Sequence, residues 1–162
     1  MVGDETTVTL RSYDKKCIAL AQLESALRLY RNRDSHEDLL SVITLAGAAE
    51  EILGKLIERR GKNNALDSLK EATAAMYEHL SPGEVLDDKI LKGFADRANR
   101  ARNALKHLDA GGNPTVQLDL PQEAVDILTR AIDNYWLLEE SLTPAMAEFE
   151  QAQRAGPALP DE

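Results

Sequence analysis

Apolar residues recur at three- and four-residue spacing over most of this chain, which predicts helices and little else. The first such segment runs from about 12 to 30, with Ile18, Leu20, Leu23, Leu27 and Tyr30 on its stripe. RNRDS interrupts it, and Ser35 followed by Asp38 has the spacing of a capping box at the head of a second helix. That helix continues to about Arg60, and Leu39, Ile43, Ala46, Ala49, Leu53, Leu56 and Ile57 make it apolar enough to be central. Gly61 stands where a left-handed C-cap is expected. A third helix, about 64 to 80, stops at Ser81-Pro82-Gly83. A fourth is predicted over about 84 to 108, ending at DAGG, with Ile90, Leu91, Phe94, Ala98, Ala101, Leu105 and Leu108 on one side. The last begins near Pro121, a favoured first-turn residue, and Pro144 kinks or ends it before a further helical stretch toward Gln153. Two short β-branched stretches, TTVTL and PTVQLDL, read as extended.

Short connections and no sustained strand pattern predict an all-α, up-and-down bundle of about five helices. Residues 1–11 are expected to form an extended N-terminal segment, 12–153 a single helical-bundle domain, and 154–162 a flexible tail. At 162 residues the chain is the size of one domain. The run Ala46-Gly47-Ala48-Ala49 lets another helix approach closely, from the same chain or a second subunit, so a homodimer is expected. Tyr135 and Trp136 read as core or subunit interface.

Composition narrows the setting. The longest apolar runs are too short to cross a bilayer, so no membrane is involved. Asp4 and Glu5 stand where a signal peptide would need positive charge, which makes the cytoplasm the expected compartment. Cys17 is the only cysteine, which excludes an internal disulfide and a thiolate metal cluster. In KKCIALAQL it reads as a small buried or half-buried hydrophobe.

Several chemistries can be set aside. The residues three before His36, His79 and His107 are Arg33, Met76 and Ala104, so the Glu-x-x-His of di-metal carboxylate bundles is absent. No two histidines share a His-x-x-x-His spacing, and no metal or other cofactor is expected. GKNN at Gly61 follows a helix, whereas a phosphate loop should open one. His36 reads as exposed capping material, and His79 as a partner of a helix C-terminus.

Charge brings in the one unusual feature. The chain has 28 Asp and Glu against 19 Lys and Arg, a net charge of −9, which argues against a broad nucleic-acid-binding surface. Yet from Lys92 to Lys106 there are five positive residues and only Asp96 negative. Helix-dipole matching accounts for part of this, since cations near a helix C-terminus gain roughly 0.3–1 kcal/mol each. The order of residues is more particular. Arg102-Asn103-Ala104-Leu105-Lys106-His107 places Arg four residues before His, with a polar residue directly after the Arg.

This hexapeptide resembles the signature of the HEPN family, Arg, four to six residues, then His. LAGAAEEILGKLI is similar to the alanine-rich second helix of HEPN bundles, and EAVDILTRAIDNYWLL to the helix that follows their motif. The similarity covers roughly Ser12 to Leu142. It implies a metal-independent endoribonuclease of the toxin or defence kind, with the motif helices of two subunits lining one cleft, RNA as substrate and a protein inhibitor as partner. In that role Arg102, Asn103 and His107 are the catalytic residues, and Lys106, Arg100 and Asn99 hold phosphates. The chemistry suits these residue types. Imidazole titrates near about 6.5 and can move the protons, and a guanidinium fork can hold the charged phosphorane.

The family also contains members that resemble non-catalytic modules, and the sequence leaves that alternative open. The same island would then bind a nucleotide or an acidic partner, or only its own helix ends. Positions 102 and 107 diverge by about 140° on an ideal helix, whereas Asn103 and His107 share a face. Glu50 or Glu51, in the small-residue segment, could turn toward Arg102. A buried Glu50–Arg102 pair would make the motif structural.

Overall fold

A computed structural model describes residues 10–107 and 114–156. Among them are seven helices and no strand: α1 (Lys15–Arg31), α2 (His36–Glu58), α3 (Ala65–Leu80), α4 (Asp88–Ala98), α5 (Arg100–Lys106), α6 (Leu120–Glu139) and α7 (Pro144–Ala155). The PTVQLDL stretch forms no strand, and most of TTVTL lies outside the described residues.

Local chemistry sets most helix starts. Asp14, Ser35, Asn64, Asp87, Asp119 and Thr143 each accept a backbone N–H from the first turn they precede. Ser35 and Asp38 form the reciprocal capping box. The Asp14 cap moves the start of α1 to Lys15, later than the Ser12 of the sequence pattern. Cys17 then falls in the first turn and is exposed, not buried as expected. Gly61 does adopt a left-handed φ of 70°, in the turn after α2.

The core is α2 packed between α1 and α6, with α7 closing the end of α1. Leu39, Ile43, Ala46, Ala49, Leu53 and Ile57 of α2 are all buried, meeting Leu23 and Leu27 of α1 and Ile127, Leu128, Ile132 and Leu138 of α6. Each fully buried Leu or Ile stabilises the fold by roughly 1.5–3 kcal/mol. Lys16 Nζ reaches Glu139 Oε1 at 2.8 Å and ties the start of α1 to the end of α6. Tyr135 is buried, whereas its neighbour Trp136 is half exposed. Among the described residues no helix is long and apolar enough to cross a membrane.

The fourth predicted helix is broken. It starts at Asp88, not at Glu84, because Asp87 caps it, and it divides at Asn99 into α4 and α5. Arg130 of α6 donates to the Ala98 carbonyl at this junction at 2.8 Å, a side-chain intrusion of the kind that bends helices. The predicted apolar stripe therefore does not bury as one face. Ala101 is buried and Leu105 packs against the core, but Ile90 is 58% exposed and α4 has no buried residue. Leu108 and DAGG lie outside the described residues, and α5 itself ends at Lys106. α3 contributes only Ala65 to the buried set. α3 and α4 thus pair as an arm beside the core, leaving Leu69, Met76, Leu80, Val85 and Ile90 exposed.

Candidate functional site

The seven residues of α5 face two ways. Ala101 and Leu105 turn to the core, and Arg102 turns to α2. Its Nη1 donates to Glu50 Oε2 at 2.7 Å, and the two side chains are 14% and 6% exposed. Gly47 makes the approach possible. A Cβ on that residue would stand 2.7 Å from Cγ and 2.9 Å from Cδ of Arg102, closer than packed carbons come. The small-residue run of α2 is therefore filled by an arginine stem from the same chain.

Glu50 gathers more than one partner. Arg130 Nε lies 3.5 Å from its other carboxylate oxygen while Arg130 Nη2 holds the Ala98 carbonyl. Asn134 Nδ2 donates to the Glu50 carbonyl at 3.2 Å, and Asn134 Oδ1 accepts the Ala65 N–H at 2.8 Å, fixing the start of α3. The Glu50 carboxylate thus joins α5 and α6 to α2, and its backbone carbonyl, through Asn134, ties in the start of α3. A buried ion pair of this kind gives geometry more than net stability, but losing one partner is costly.

Two further cations of the island are also engaged within the fold. Lys106 reaches Glu51 at 3.4 Å, and Glu51 also holds Lys55 at 2.7 Å. These contacts lower the Glu51 pKa, the Lys55 hydrogen bond first, against partial desolvation, with Lys106 adding to it. Arg100 donates to the Gln117 carbonyl at 3.2 Å. A cavity of about 210 Å³ opens beside Arg102, with Glu50, Glu51 and Glu58 among its walls, and Asn99 and Asn134 close it. Asn99 Oδ1 and Arg102 Nε are buried there without a hydrogen-bond partner. A phosphate entering this space would meet carboxylates already holding the cations, an unfavourable exchange.

Within one protomer the three proposed catalytic residues do not share a face. Arg102 faces α2, whereas Asn103 and His107 are exposed, and His107 has left the helix with an extended backbone (φ −130°, ψ 137°). Its imidazole has no hydrogen bond to any described residue, so none of them orients it as a base. No cluster of His, Cys, Asp and Glu among the described residues could hold a metal ion.

Sequence reasoning missed Arg130 and Asn134. Their signal was present: Ile127, Arg130, Ala131, Asn134 and Leu138 follow the helical stripe of α6, and all are buried. Two polar residues in an apolar stripe mark a buried polar network. No family model, curated protein or solved structure matches this chain.

Proposed function

We propose that this chain is a HEPN-like, non-catalytic helical-bundle interaction module that acts as a homodimer. Arg102 carries the reading: its guanidinium is engaged by Glu50 and largely enclosed, so the group needed at a scissile phosphate is committed to holding α5 on α2. The α3–α4 arm supports self-association. Leu69, Met76 and Leu80 make an exposed stripe on α3, and Ile90 is exposed on the adjoining α4. Apolar groups clustered on one exposed element mark an interaction surface. A two-fold related copy would cover both helix faces at once, because the same patch then serves both subunits. The exposed edge of α5, with Asn103 and His107, is where an acidic partner or the phosphate of a nucleotide would meet this module.

Light scattering on the purified chain should give twice the protomer mass. Met76→Glu with Leu80→Glu should give the protomer mass with unchanged helix content, and a wild-type monomer would overturn the dimer. RNA incubated with the protein in EDTA should stay intact.

The second reading is the metal-independent endoribonuclease of the toxin or defence kind, with a composite site at the dimer cleft. It is favoured by the exposure of Asn103 and His107 at the C-terminal end of α5. Fragments ending in a 2′,3′-cyclic phosphate, formed in EDTA and lost on His107→Ala, would establish it and remove the first reading.

A further inference from the structure

A larger cavity than the one beside Arg102 lies elsewhere, between the C-terminal half of α1 and α7. It encloses about 740 Å³, within the range of small-molecule sites, and none of its walls belongs to α5 or to the Glu50 network. Its floor is apolar and aromatic. Tyr30 and Phe149 meet edge to face, ring centres 5.4 Å apart and planes inclined at 72°, above buried Leu27.

Three guanidinium groups surround that floor. Arg31 is matched by Glu148 of α7 at 2.7 Å, which holds the two walls together. Arg33 lies over the Tyr30 ring at 4.0 Å and donates to the Tyr30 carbonyl, so its plane is already fixed at the rim. The Arg28 guanidinium hydrogen-bonds, among the described residues, only the Ser25 hydroxyl, at 3.3 Å. Neither Arg28 nor Arg33 has a carboxylate within ion-pair reach among the described residues. The other acid of the cavity, Glu24, accepts the Thr143 hydroxyl. On a chain of net charge −9, two arginines without an ion-pair partner among the described residues, beside an aromatic floor, favour an anion with an apolar body.

We infer that this cavity binds a small aromatic anion, its ring against Tyr30 and Phe149 and its phosphate or carboxylate between Arg28 and Arg33. The α5 cluster plays no part in it, so this site stands or falls apart from the proposed module. The probes are 1-naphthyl phosphate, neutral 1-naphthol and inorganic phosphate, each titrated calorimetrically into the full chain. Naphthyl phosphate should bind at least about tenfold tighter than either fragment, since ring and anion are recognised together. Arg28→Gln with Arg33→Gln should remove that advantage while naphthol binding persists. Met76→Glu with Leu80→Glu, on the distant arm, should leave it intact, which separates this site from the exposed apolar patch. Benzoate and phenyl phosphate then show which anionic group is preferred. Equal affinity for naphthol and naphthyl phosphate, no binding of either, or binding unchanged in the double arginine variant would overturn the inference.

Discussion

Glu50 holds two guanidinium groups with one carboxylate, and the consequences of removing each member differ. Glu50→Ala leaves Arg102 and Arg130 facing each other in a largely enclosed site, and a loss of about 3–5 kcal/mol is expected. Arg102→Ala leaves Glu50 still matched by Arg130, so the loss should be smaller. Urea unfolding of the two variants tests that order. Gly47→Ala forces the Arg102 stem aside, and overpacking of this kind costs about 1–3 kcal/mol. In an Arg102→Ala background the same alanine should be nearly neutral, which a double-mutant cycle would read as coupling.

At the scale of elements, α1, α2 and α6 were legible because their apolar residues repeat at helical spacing and bury accordingly, from Leu39 to Ile57 most completely. Capping at Ser35 and Asp38 was legible because it is chemistry between near neighbours. The break at Asn99 was not, since Arg130, which holds the carbonyl of Ala98 at the junction, lies on another helix 32 residues from Ala98. The motif itself was legible as a pattern, but whether Arg102 faced solvent or Glu50 depended on how α5 sits against Gly47. Attachment of α3 rests on Asn134. Asn134→Ala would leave the Ala65 N–H and the Glu50 carbonyl without that partner in a buried place, at about 1–3 kcal/mol. Amide hydrogen exchange in α3 should then accelerate while that of α2 and α6 stays slow. Stability depends on pH through Glu51, chiefly by its Lys55 hydrogen bond within α2 and in smaller part by Lys106 of α5. The Glu51 pKa is lowered in the fold, so the stabilisation is complete above the ordinary value of 4.5 and is lost as pH falls through the lowered one. The difference in urea midpoint between wild type and Glu51→Gln should therefore be present at neutral pH and fade below pH 4.5.

For the whole molecule, burial is concentrated in the α1–α2–α6 core, and five of the nine large exposed apolar side chains among the described residues lie on the α3–α4 arm and its connecting loop. The arm is thus the part whose order depends most on what covers it, and in the proposed dimer, dissociation should raise its exchange rates before those of the core. The Lys16–Glu139 link gives a way to watch the two parts separately. Cys17, the only thiol, adjoins Lys16, and Trp136, the only indole, lies one helical turn from Glu139. The chain therefore carries a natural donor and a single attachment point for an acceptor dye across its α1–α6 seam. Energy transfer between them should stay high while the arm loosens and collapse only when the core opens, making this pair of side chains an optical clock for the order in which the molecule comes apart.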